Sequence, residues 1–137
     1  MSTKEQITQK ISKIKDYLKI LFTFKKYTTN EIKQDIKLKG SLERFLYLTL
    51  DSIISLMEML IAFKEYQKPT SYSENVDILF EKKEINQNQY QLLHKMVGLR
   101  NILSHEYENL NLEILKNIIN EKIIDLENLI NHFENKI

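Results

Sequence analysis

The 137-residue chain has no cysteine, a single proline and only two glycines. Without thiols there are no disulfides and no thiolate metal sites, and nothing points to an oxidising compartment, so a cytoplasmic protein is expected. So few backbone breakers exclude a fold of many short strands joined by tight turns. They leave long uninterrupted segments rich in Lys, Glu, Leu and Ile, as helices require. A clean apolar span is also missing: the most apolar stretch, Leu46 to Phe63, is interrupted by Asp51 and Glu58, and the Lys-rich N-terminus has no apolar signal core. Neither a membrane span nor an export signal is expected.

What is present is an ordinary globular composition, 42% hydrophobic and 28% charged, in a chain long enough for one core and too short to divide in two. Residues 1–137 therefore read as a single domain. The net charge of +1 conceals a polarity: residues 1–40 carry ten lysines against four acids, and residues 106–137 three lysines against seven acids. A basic flank attracts RNA, although evenly spaced lysines on an amphipathic helix are more often a solvated face.

Ile7, Ile11, Ile14, Leu18 and Leu21 recur at three- and four-residue steps, which predicts a first helix from about Thr3 to Lys26. Thr28 and Glu31 have capping-box spacing, and Leu42, Phe45, Thr49, Ser52, Leu56, Met59 and Phe63 then share one face, so a long second helix reaches about Tyr66. Lys68-Pro69-Thr70 stops it, because proline cannot continue the hydrogen-bond ladder. Ser71 with Glu74 opens a short third helix, and Asn86 with Gln89 a fourth that ends near His105 or Tyr107. Asn111 caps a last one striped by Leu112, Leu115, Ile119, Ile123, Leu126, Ile130 and Phe133. The expected fold is an all-α, up-and-down bundle of four longer helices and one short one.

The fourth helix is interrupted by polar groups in the segment from Met96 to Tyr107. His94, Gly98, Asn101 and His105 share a face, with Gly98 leaving room for a backbone or ligand, while Arg100 lies on an adjacent face. Arg100 and His105 stand about 7.5 Å apart along the axis, within reach of a long side chain. This pair suits phosphodiester chemistry: a guanidinium holds phosphate oxygens and offsets charge at phosphorus, and an imidazole exchanges protons near neutral pH. RNA brings its own 2′-hydroxyl nucleophile, so no metal or other cofactor is called for. One group must remove the 2′ proton and another protonate the leaving oxygen, and a two-fold dimer would supply the second histidine. Taken alone, an Arg and a His five residues apart more often make ordinary surface or capping contacts.

The segment Arg100-Asn101-Ile-Leu-Ser-His105-Glu-Tyr107 resembles the Arg, four residues, His, one residue, Tyr signature of the HepT-like branch of HEPN proteins. Met96 to Leu99 before it, and Leu42-Glu43-Arg44, Asp51, Pro69 and Ser71-Tyr72 upstream, follow the order of features in that branch, from about Lys33 onward. Ser104 departs from it, standing where an apolar residue is expected. The resemblance implies a HEPN-like homodimer with paired motifs facing a cleft, the toxin of a type II/VII-like toxin–antitoxin pair, partnered by a small nucleotidyltransferase antitoxin and acting on RNA. Arg100 and His105 match the catalytic positions, Asn101 a supporting one, and Tyr107 the tyrosine that the antitoxin modifies with AMP, a charge and bulk that would block RNA. The alternative is a non-catalytic HEPN-like subunit that binds a nucleotide or docks a nucleotidyltransferase.

Other groups carry less. Arg44, Tyr47, Asp51, Ser55 and Glu58 form a polar stripe on the second helix, which either faces the cleft or, as such stripes more often do, is simply exposed. His94, His132, Glu106 and Glu108 lack the i, i+3 or i, i+4 spacing of metal ligands, so no metal site is expected.

Overall fold

The computed structural model describes residues 3–105 and 110–137. The described residues form α-helices and connecting turns without a strand: α1 (Lys4–Phe22), a short 3-10 turn (Thr23–Lys26), α2 (Thr29–Gln34), α3 (Ile36–Phe63), α4 (Tyr72–Glu81), α5 (Gln87–His105), α6 (Leu112–Glu121) and α7 (Ile123–Glu134). The helix-starting residues read from the sequence act as caps. Thr28 and Glu31 bond each other's backbone N–H, Asn86 and Gln89 do the same, Ser71 accepts from Glu74 N–H, and Asn111 accepts from Glu113 and Ile114.

Two of the expected long helices are each divided. Asp35, in extended conformation at φ −118° and ψ 102°, accepts from the N–H groups of Lys37 and Leu38 and starts a new helix, so α2 and α3 are separate elements. At the other end Lys122, at φ −111°, separates α6 from α7. The change of axis lets α6 pack on α2 and the 3-10 turn while α7 packs along α1. Lys116 fastens the first contact: its buried ammonium donates to the carbonyls of Phe24 and Lys25, each at 3.0 Å, and to Asn120 Oδ1 at 2.8 Å. Burial, and secondarily the charge of Lys25, lower the Lys116 pKa.

The centre of the bundle is α3, which packs on α1, α2, α4 and α5. Its length and mean hydropathy of 1.7 would suffice to cross a membrane, but half of that apolar window is buried inside the bundle. Leu42, Leu46, Leu50, Ile53, Met57 and Leu60 are all buried in the core. At the end of α3, Glu65 takes a left-handed conformation, and Tyr66 N–H closes back on the Ile61 carbonyl; Lys83 and Glu84 repeat this device after α4. Glu84 then gathers the region: it pairs with Lys64 at 3.0 Å, accepts from the Tyr66 hydroxyl, and its carbonyl lies 2.6 Å from His132 Nε2. His132 thus joins α7 to the α4–α5 turn.

Candidate active site

α5 presents the polar segment, and α3 and α4 supply the surroundings. Tyr47 and Asp51 stand one turn apart on α3, so their side chains share a face. The Ser71 cap sets the first residue of α4, Tyr72, beside the same place. Arg100 enters between them. Its Nε donates to Asp51 Oδ1 at 3.1 Å, its Nη2 to the Tyr47 hydroxyl at 3.4 Å, and its Nη1 to Asn101 Oδ1 at 3.4 Å. The guanidinium carbon lies 4.7 Å from the Tyr72 ring centroid and 5.4 Å from that of Tyr47, within the range of a cation–π contact. The Arg100 side chain is 12% exposed. Burial alone would lower its pKa, but the hydrogen bond to Asp51 and the neighbouring charges outweigh this, and the net shift is upward. Arg100 is therefore a permanent cation.

Glu58 lies farther along the α3 stripe. Its side chain is exposed, but partial desolvation against α3, and after it the charge of Asp51, push its carboxyl up from the ordinary range. The stripe is thus locally acidic, and Arg100 relieves it at Asp51.

Of the residues singled out in the sequence, Arg100 and Asn101 come together with the α3 stripe. His105, the last residue of α5, is exposed and makes no hydrogen bond or ion pair with Arg100. The guanidinium does not bend toward it, because Asp51 and the two tyrosines hold it on the α3–α4 side. Tyr107 lies outside the described residues, as do Glu106 and Glu108. Gly98 and Asn101 are exposed, and nothing stands within 4 Å of where a Cβ on Gly98 would be. His94 turns instead to α4, where its Nε2 lies 3.0 Å from Asp77 Oδ1, an oxygen that also accepts from the Tyr90 hydroxyl.

The polar stripe on α3 is only partly a solvated face. Arg44 and Glu58 are exposed, whereas Tyr47, Asp51 and Ser55 are half-buried, and two of these hold Arg100. Sequence reasoning placed Asp51 and Tyr47 on the stripe but gave them no partner, and did not place Tyr72 in the site. The available signal was the regular three- and four-residue polar line through an otherwise apolar helix.

The geometry can grip an anion. Asp51 engages Arg100 through Nε and two rings cover its faces, while the Nη groups keep only long contacts that a phosphate oxygen can replace. An accessible imidazole one and a half turns along the helix supplies proton exchange.

The helical fold of the described residues is shared with solved HEPN toxins. Over 94% of the chain, the structure superposes on a tri-AMPylated HEPN toxin of Shewanella oneidensis, solved in complex with an MNT antitoxin, with a TM-score of 0.84, 28% identity and 96% of that chain covered. It also superposes on a chain of a toxin–antitoxin crystallised with AMP-PNP, with a TM-score of 0.82, 28% identity, and 93% and 96% of the two chains covered. In sequence it is 30% identical over 101 residues to the mRNA nuclease HepT of Shewanella oneidensis, covering 74% of this chain and 76% of that one. Residues 7–133 match the Ribonuclease HepT-like family model, and the chain belongs to that family.

Proposed function

We propose that this protein is the toxin of a toxin–antitoxin pair and cuts RNA without a metal, as a homodimer whose two α5 helices form one composite site. The observation that carries the reading is Arg100, fixed against Asp51 between two tyrosine rings with its Nη groups only weakly engaged, on the same helix as an exposed His105. The names of the relatives, a HepT mRNA nuclease and HEPN toxins in complex with antitoxins, support it.

In the reaction, Arg100 binds the oxygens of the scissile phosphate and offsets the charge that grows there. One His105 removes the 2′-hydroxyl proton, the 2′ oxygen bonds to phosphorus, and the bond to the 5′ oxygen breaks. His105 of the partner subunit gives that oxygen its proton. The products are a 2′,3′-cyclic phosphate and a free 5′-hydroxyl. Asn101 supports the arginine through its Oδ1. Tyr107, two positions beyond His105, is the acceptor for AMP from a nucleotidyltransferase antitoxin, as the AMPylation of the solved toxin suggests. Phosphate and adenosine there would compete with RNA for Arg100.

One experiment tests the whole reading. Purified protein with EDTA should leave cyclic phosphate ends on RNA, and His105→Ala and Arg100→Ala should each lower the rate by roughly a hundredfold or more. Treatment with the antitoxin and ATP should add AMP mass at Tyr107 and stop cleavage, with Tyr107→Phe escaping both. Cleavage unchanged in both α5 variants would place the activity elsewhere, and RNA binding without any cleavage would favour the non-catalytic binding subunit.

A further inference from the structure

We infer that the hollow between the start of α3 and the end of α5 is a nucleotide subsite, where Arg44 holds a phosphate of the RNA strand next to the one at Arg100. The inference rests on the nuclease reading above and extends it to how the strand is seated. The hollow has a volume of about 380 Å³ and is lined by Gly40, Glu43, Arg44, Tyr47, Leu103 and Ser104. That volume falls in the range of small-molecule sites, roughly 300–1,000 Å³.

Several features left without a role by the chemistry at Arg100 meet here. Gly40 sits inside a helix, where glycine is unfavourable, yet nothing lies within 4 Å of where its Cβ would be. Packing therefore does not require glycine, and the missing side chain leaves the hollow open. Ser104, standing where an apolar residue was expected, puts a hydroxyl on the opposite wall; it donates to the Asn101 carbonyl at 3.0 Å and keeps its lone pairs for a ligand donor. Glu43 would repel a phosphate, but Lys39 pairs with it at 3.2 Å. Arg44 is exposed and makes no ion pair among the described residues.

Tyr47 links this hollow to the reaction centre. The Arg44 guanidinium lies 5.8 Å from its ring centroid and that of Arg100 5.4 Å, so one ring positions both cations. Two guanidiniums on one ring suit two successive phosphates of one strand, with the intervening ribose and base directed into the hollow. A rigid duplex would not offer that splayed geometry, so the subsite selects single-stranded RNA.

The test is RNA binding in the His105→Ala background, which separates binding from cutting. Removing one phosphate contact lowers the salt slope of single-strand binding by about 0.7. Arg44→Gln should show that drop and bind single-stranded RNA about tenfold more weakly, and Arg44→Lys should recover much of both. Gly40→Leu, which crowds the hollow and leaves Arg44 in place, should weaken binding of single-stranded RNA while the thermal midpoint does not fall. Unchanged affinity and salt slope in Arg44→Gln, or unchanged affinity in Gly40→Leu, would overturn the subsite even if the wild-type protein cleaves RNA. If the variants show these losses but the wild-type protein binds RNA without cutting it, the nuclease reading alone would be overturned, and a wild-type protein that binds no RNA would overturn both.

Discussion

A guanidinium that is to meet a phosphate has to be held in place without its donors being consumed. At Arg100 the Nε donor goes to Asp51 and the ring faces of Tyr47 and Tyr72 take the flat sides, which leaves the Nη edge with contacts of 3.4 Å. In the proposed reaction Asp51 is therefore a positioning residue. Asp51→Asn keeps the shape and removes the charge, and charge-assisted hydrogen bonds contribute about 1.5–3 kcal/mol. The expected outcome is a fall in kcat of roughly tenfold or more with a smaller change in KM, and partial recovery in Asp51→Glu; steady-state cleavage kinetics would show it. A variant as fast as wild type would mean that Tyr47 and Tyr72 suffice to aim Arg100. The resemblance of the α5 segment, and not its spacing alone, singled out Arg100, Asn101 and His105 as candidate site residues. The partnership of Arg100 with Asp51 was not legible, because the two lie 49 positions apart and local periodicity carries no information on which helix face meets which.

At the scale of elements, the starts of helices could be read and the breaks within them could not. A cap has a local chemical signature, an Asx or hydroxyl side chain that bonds an N–H two or three residues on. The break at Lys122 has none, because Ile119, Ile123 and Leu126 carry the apolar stripe through it at unbroken three- and four-residue steps. Asp35 reads as one more charged residue until its side chain is seen on Lys37 and Leu38 N–H. The helix ends also carry a cost that can be removed. Lys83 holds φ 60° after α4, a conformation about 1–2 kcal/mol unfavourable for a residue with a Cβ. Glycine there regains that strain and gives back about 0.5–1 kcal/mol in unfolded-state freedom. Lys83→Gly should therefore raise stability by up to about 1 kcal/mol, read as an upward shift of the denaturant midpoint at unchanged slope. A lower midpoint would show that the lysine side chain contributes more than its backbone strain costs.

For the whole molecule, the proposed reaction needs two proton-transfer groups and each chain offers one. Beside Gly98, a groove of about 810 Å³ runs between α5 and the α6–α7 arm, with Leu92, Met96, Leu99 and Ile118 in its wall and Ile102 and Ile114 left 44% and 55% exposed. A second copy seated there would cover those isoleucines and bring two α5 helices together at Gly98, where no Cβ stands in the way. Replacing Gly98 by Arg should then separate the copies in sedimentation and remove cleavage together. Mixing is the sharper measurement. Wild-type chains exchanged with an excess of chains carrying both Arg100→Ala and His105→Ala end up mostly in mixed dimers, whose cleft holds one arginine and one histidine. If the cleft is shared, cleavage per wild-type chain should fall steeply as the inactive chains are added. If exchange is complete by mass spectrometry and cleavage per wild-type chain stays constant, each chain works from its own Arg100 and His105, and the dimer contributes no residue to the chemistry.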